Sequence, residues 1–353
     1  MLNETVRGVV PEPGIFSLPG LERLRLYQQA RLPATPHNRL FGYRLTQVSS
    51  GSSVLSQPIT PWSEVYDGFV DVTAIAALSA YITAGTAAPA GTDLQLVTLS
   101  IRYLRSLTVD DGSVIARGRL LHAGSSFTTV ETLIEDPLGR GVAHVTASTV
   151  NVPLDPPPPA WNAPPDEPAQ EPVYATPDPM QRSLPPSLGV AGLVPAAAFL
   201  GIQVEDMSET SVTATMPASP WFSLLRREVE PGIIAAFSNQ TANFVNTQVA
   251  GAQRAVTFEV GFSFFGKTPP ADGRMLRSSA SMAERADDTF VIDMRTEDAN
   301  GALISIGRGT LQVRERRARR RSPSNRVLLT VLFTDLVGST ERAGEEGDTK
   351  WRH

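Results

Sequence analysis

Cysteine is absent from the 353 residues, which removes disulfides, thiolate nucleophiles and cysteine-ligated zinc or iron–sulfur centres in one step. Histidine is scarce: His37, His122, His144 and His353 are the only four. They lack a ligand spacing such as HExxH, so no dedicated histidine metal site is expected. The GxSxG elbow of the α/β serine hydrolases is missing as well. Any hydrolysis therefore falls to carboxylate, amide or hydroxyl side chains acting with oriented water. No apolar run reaches the roughly 18 residues a membrane helix needs. The start, MLNETVRGVVPEPG, lacks the basic, apolar and small-residue regions of a secretion signal. A cytoplasmic chain without a membrane segment is expected. The net charge of -5 gives no whole-protein attraction to nucleic acid or anionic membrane, and neither partner is expected. The one local exception is the basic run Arg314, Arg316, Arg317, Arg319, Arg320 and Arg321. It has no interleaved aromatics and reads as a solvated linker.

What the chain does contain is length for two cores, since domains average about 150 residues. Proline marks the main boundary. Residues 152–194 include four consecutive prolines, Pro156 to Pro159, with more up to Pro186. Neither helix nor central strand survives that density, so a semi-rigid extended spacer is expected. A second break falls at 314–326, where the arginine run meets SPSN. The expected units are an extension with a short helix at 1–36, domains at 37–151 and 195–313, and a terminal piece at 327–353.

The two domains repeat each other. Residues 41–62 read FGYRLTQVSSGSSVLSQPITPW and residues 200–221 read LGIQVEDMSETSVTATMPASPW. Gly42 to Trp62 and Gly201 to Trp221 have the same spacing, and both pieces alternate apolar and polar residues around a polar turn, as a half-buried hairpin does. Both end in PxxPW. A small-residue apolar stretch follows in each, DVTAIAALSAYITAGTAA from Asp71 and GIIAAFSNQTANFVNTQVA from Gly232. Apolar all round and alanine-rich, each predicts a buried helix, at about 69–86 and 232–250. Strand-like segments with DG turns at Asp111-Gly112 and Asp272-Gly273 complete each unit. The order is hairpin, helix, then three or four strands, twice.

That order, with the LGxxL hairpin start, PxxPW, a glycine-led apolar helix and the DxxG turn, resembles the hotdog fold of the PaaI-type acyl-CoA thioesterases. The resemblance implies an α+β protein of two tandem hotdog domains, each a long central helix wrapped by an antiparallel sheet. The two would pair into a pseudo-dimeric double hotdog with the helices adjacent, a pair that is compatible with a homo-oligomer. It further implies an acyl-CoA or related thioester as substrate, no cofactor for these domains, and a thioester carbonyl polarised by helix-start amides. The family's LADxA carboxylate maps to Ile75 in the first repeat and Asn239 in the second, so neither keeps the acid. Its HxGR arginine, which meets CoA phosphates, is missing from HAGSS at 122–126 and from ERADD at 284–288.

The candidate catalytic residues are therefore Asn239, Thr257 and Asp71. Asn239 orients water or lines a cleft, or is an ordinary buried amide; it is no general base near neutral pH. Thr257 lies where related enzymes carry a Ser or Thr on the facing strand, and reads equally as a structural strand residue. Asp71 stands in for the lost acid or complements the helix dipole. Gly68, Gly232, Glu230 and Asn243 are the candidate substrate-binding positions. With its acids lost, the pair reads alternatively as a non-catalytic acyl-CoA-sensing or dimerisation module for an attached cyclase.

That cyclase reading comes from residues 327–352, VLLTVLFTDLVGSTERAGEEGDTKWR, which resemble the opening of a class III adenylate or guanylate cyclase. The resemblance makes Asp335 a metal ligand, for Mg or Mn, in a domain that the given sequence does not complete; cyclase activity is not expected of it.

Overall fold

A computed structural model describes residues 5–66, 69–161, 194–250 and 254–314. Gly68, Asp335, most of the proline-rich stretch and the basic run after Arg314 lie outside the described residues.

The N-terminal extension carries helix α1 (Gly20–Gln28). The first repeat opens on a one-turn helix, α2 (Pro36–Phe41), whose ends follow from sequence. Thr35 Oγ1 accepts from Asn38 N, Pro36 occupies the first turn, and Gly42 closes the helix at φ 68°, a left-handed conformation that favours glycine. The hairpin β1 (Arg44–Ser49) and β2 (Ser52–Pro58) comes next. A small two-stranded sheet, β3 (Glu64–Tyr66) with β4 (Phe69–Val70), then leads to α3 (Thr73–Gly85). Strands β5 (Thr92–Tyr103), β6 (Ser113–Ala123), β7 (Phe127–Glu135) and β8 (Gly141–Pro153) finish the unit.

The second repeat runs through the same series. Helix α4 (Pro195–Leu200) ends at Gly201, φ 73°, in the place of Gly42. Strands β9 (Gln203–Met207) and β10 (Ser211–Pro217), helix α5 (Pro231–Ala250), and strands β11 (Arg254–Phe264), β12 (Met275–Ala286), β13 (Thr289–Glu297) and β14 (Leu303–Arg314) follow.

All the long strands join one sheet of 12, ordered β1-β2-β6-β7-β8-β5-β11-β14-β13-β12-β10-β9. Read outward from the middle, the two halves have the same order, so the repeats are related by a pseudo-twofold axis between β5 and β11. These two strands pair antiparallel, Ser100 opposite Gly261 and Leu99 opposite Phe262. The junction removes one exposed edge from each half, the physical reason for expecting the sheets to be continuous.

Both central helices are almost wholly buried: 11 of the 13 residues of α3 and 15 of the 20 of α5 have little contact with solvent. Small side chains let them sink into the sheet. A Cβ at Gly118 of β6 would lie 1.9 Å from Thr83 Oγ1 of α3, a distance only glycine permits. Thr83 is also within 2.7 Å of Ser53 Oγ on β2. Large residues fill the rest of the core, among them Phe237, Trp221 and Phe290, each stabilising by about 1.5–3 kcal/mol or more through the apolar area it removes from water.

Two expectations need correction. The first helix begins at Thr73, not near 69, because Phe69 and Val70 pair as a strand and Asp71 caps the helix end that follows. The proline-rich stretch is not a free spacer from its first residue. Strand β8 continues to Pro153, Leu154 N donates to Gly91 O, and Trp161 N donates to Ser17 Oγ beside buried Ile15 and Phe16. The start of the linker thus packs with the N-terminal extension.

Candidate functional site

Both central helix starts are capped by an acid that the chain supplies just ahead of the helix. Asp71 Oδ1 accepts from Thr73 N at 2.9 Å and from Thr73 Oγ1 at 2.6 Å. The carboxylate thereby satisfies donors that every helix start leaves open. Its other oxygen turns toward the second repeat. Asp71 Oδ2 accepts from Asn239 Nδ2 at 3.2 Å and from Gln240 Nε2 at 3.4 Å, both on α5. Asn239 Nδ2 also donates to Thr73 Oγ1 at 3.2 Å, and Tyr103 OH of β5 donates to Asp71 Oδ1 at 3.3 Å.

One carboxylate thus collects hydroxyl, backbone and amide donors from both repeats. Thr73, Asn239 and Gln240 are buried, whereas Asp71 is half-buried and keeps one side open. Gln240 Oε1 is buried without a partner beside it, an acceptor suited to a water molecule. A half-open carboxylate ringed by fixed donors can orient a water molecule and take its proton.

The other helix start is built differently. Glu230 is 3% exposed and precedes α5. Its Oε2 accepts from Ile233 N at 3.2 Å, and the Gly232 amide also donates to this carboxyl. Burial raises its pKa to about 7, the helix amides pulling the other way. His37 Nε2 of α2 lies 4.0 Å from Glu230 Oε2, and burial depresses its pKa to about 3. The helix-start amides of the second repeat are therefore turned onto the chain's own carboxyl rather than presented to a ligand.

Gly232 has a packing reason to be glycine. A Cβ there would stand 2.8 Å from Ala74 O and 2.9 Å from Ala77 Cβ, so its absence lets α5 cross close to α3.

The remaining expected residues fall elsewhere. Thr257 is on β11, opposite Leu311, and makes no side-chain hydrogen bond to Asp71 or Asn239. Asn243 accepts from Asn246 Nδ2 at 3.0 Å along α5. Ile75 is buried core on α3 and corresponds in the second repeat to Ile234, while Asn239 corresponds to Ala80, so Ile75 and Asn239 are not one position of the repeat as the sequence mapping has them. Thr73, Gln240 and Tyr103 were not singled out from sequence; the cue for Gln240 was its place next to Asn239, while nothing local marked Tyr103.

Comparison with known proteins bears on the fold. Residues 65–143, from β3 into β8, match the family model described as the thioesterase superfamily. A tesB protein of Mycobacterium avium subspecies paratuberculosis superposes with a TM-score of 0.50 at 13% identity, over 76% of this chain and 96% of that one. A protein assigned as an oleoyl thioesterase from Lactobacillus plantarum does so at 0.50 and 14% identity, over 76% and 99%. The fold is a double hotdog. An acyl-CoA thioesterase II from Mycobacterium marinum is also similar, at a TM-score of 0.49 and 14% identity over 77% and 95%. No curated protein sequence matches. At such identities the double-hotdog likeness speaks for architecture alone.

Proposed function

We propose that this chain hydrolyses an acyl thioester of the acyl-CoA class, with the reaction centred on Asp71. The observation that carries the proposal is the hydrogen bond from Asn239 of the second repeat to Asp71 of the first. It places a carboxylate where the two hotdog units meet, and it makes the site a product of both repeats. Asp71 takes a proton from water, and the water oxygen attacks the thioester carbonyl carbon. The tetrahedral intermediate collapses, the carbon–sulfur bond breaks, and the leaving thiolate recovers the proton. Asn239, Gln240, Thr73 and Tyr103 hold the carboxylate and the water in register.

The PaaI-type assignment is the finer part of the proposal. It is supported by the match of residues 65–143 to the thioesterase superfamily and by the repeated PxxPW and DG-turn order. The family's carboxylate within the helix is absent, and Asp71 ahead of the helix takes its place. The loss of the family's helix acid from both repeats, followed by the cyclase-like residues 327–352, supports the second reading, an acyl-CoA-sensing or dimerisation module regulating a cyclase.

The test measures thiol release from short, medium, long and aromatic acyl-CoAs by the native protein and Asp71→Asn. Turnover that Asp71→Asn removes is expected. Stabilisation by an acyl-CoA without its consumption would favour the sensor, and neither turnover nor stabilisation would defeat both readings.

A further inference from the structure

A cavity of about 260 Å³ lies between α1 of the N-terminal extension and the later turns of α3. Its walls are apolar over most of their area, with Leu24, Ile82, Leu94 and Leu224 among them. Several polar residues interrupt them, among them Arg23, Tyr27, Tyr81, Asp93 and the exposed Arg44.

Arg23 is only 5% exposed. Its Nη1 donates to Thr92 O at 3.3 Å, and the guanidinium sits 4.8 Å from the centre of the Phe16 ring. Among the described residues no carboxylate comes within 4.0 Å of it. Asp93, which also lines the cavity, is already held by Tyr81 OH at 2.8 Å, Leu94 N at 2.8 Å and Arg226 Nη1 at 3.2 Å. The hydroxyl of Tyr27 is buried and has no partner. A buried cation whose nearest carboxylate, Asp93, is held by three other donors, beside an unpartnered hydroxyl, is an arrangement that folding alone does not favour.

We propose that this cavity binds a small amphipathic carboxylic acid, its carboxylate on Arg23 and Tyr27 and its hydrocarbon tail among the leucines. A single buried guanidinium, the other arginine at this cavity being the exposed Arg44, matches a monoanion, and the nearby Asp93 opposes the greater charge of a phosphate ester. The apolar walls require a tail, and the modest volume limits it to a short or medium chain. The cavity meets α3 at Tyr81, Ile82 and Gly85, whereas Asp71 precedes the first residue of that helix. It is a separate site, and the inference does not rest on the hydrolysis proposed above.

The experiment is titration calorimetry on the full chain with octanoate, with octanol as the uncharged control. Saturable octanoate binding is expected, at least about tenfold tighter than octanol, because a charge-assisted pair on Arg23 is lost with the alcohol. Arg23→Met, which keeps the length and removes the charge, should weaken octanoate by about tenfold or more. Leu45→Trp, entering the cavity from β1, should abolish binding of both probes. Equal binding of octanol and octanoate, native affinity in Arg23→Met, or native affinity in Leu45→Trp each overturns the proposal. Should Arg23→Met fail to fold, the alcohol comparison and Leu45→Trp still decide. Asp71→Asn should bind octanoate as the native protein does, so that a failure here and a failure of the hydrolysis reading remain distinct.

Discussion

Asp71 and Glu230 are the same residue of the repeat, each nine positions beyond the tryptophan of its PxxPW motif. Each caps its central helix, yet the helix opposite treats them differently. Asp71 meets Asn239 and Gln240 of α5, and the positions of α3 equivalent to these are Ala80 and Tyr81. Duplication produced two helix-start acids, and the sequence has since given polar amides to only one of them. The pseudo-twofold pair is chemically one-sided.

That one-sidedness can be measured by coupling. Asn239→Ala should lower kcat/KM by about tenfold to a hundredfold, since it removes a donor that orients the catalytic carboxylate. The double variant Asp71→Asn/Asn239→Ala should be little worse than Asp71→Asn alone, because contacting residues that act as a unit do not add. Fully additive losses in steady-state kinetics would show that Asn239 does not act through Asp71.

Thr257→Ala should leave turnover within about twofold and stability within about 0.5 kcal/mol, as for a substitution away from any buried network. The residue sits beside a bulge between Thr257 and Glu259 and shares no hydrogen bond with the cluster. A loss comparable to that of Asp71→Asn would return Thr257 to the reaction centre.

Much of the fold was legible because it rests on local signals. The PxxPW spacing, the capped one-turn helices ending at Gly42 and Gly201, and the two alanine-rich stretches each announce their element, and their repetition announces the pairing. The site was legible only in part. Asn239 is the position where the resemblance places the family's acid, and Asp71 is a first-turn acid that could stand in for it. Their hydrogen bond was not legible, because it joins positions separated by 168 residues, and no periodicity within either repeat encodes it. Gly232 misled for a related reason. A glycine opening a helix looks like an anion cradle, whereas here it answers to a neighbour, Ala74, brought in by the pseudo-twofold.

Gly232→Ala should therefore destabilise the protein by about 1–3 kcal/mol, the usual effect of overpacking a fitted contact. The atoms in the way are Glu230 Oε2 at 2.7 Å, Ala74 O at 2.8 Å and Ala77 Cβ at 2.9 Å, and the Ala74 carbonyl, being backbone, cannot rotate aside as a side chain would. The better helix propensity of alanine offsets up to about 1 kcal/mol of this. Urea denaturation of the two proteins at one pH decides it. An unchanged or raised midpoint would mean that α3 and α5 part without cost.

Glu230 and His37 make stability depend on pH in opposite senses. Burial raises Glu230 from 4.5 to about 7, so its contribution is fully present below pH 4.5 and is lost as pH rises through 7. His37 falls from 6.5 to about 3, so its contribution is present above pH 6.5 and is lost as pH falls toward 3. Tyr81, the other titratable group acting on this carboxyl, stays neutral throughout because burial and Asp93 hold its pKa well above 10.0. The two opposing slopes overlap between pH 4.5 and 6.5 and mask each other in the native protein. Glu230→Gln keeps the shape and removes only the carboxyl titration. Native stability minus that of Glu230→Gln should thus fall by about 3 kcal/mol as pH rises from 4.5 to above 7, from about 1.4 kcal/mol for each pKa unit. Chemical denaturation of both proteins at half-unit steps of pH measures that difference directly. Parallel curves across the window would mean that Glu230 titrates in the folded protein as it does in the unfolded chain, and a difference that rose with pH would mean that it is held ionised beside His37.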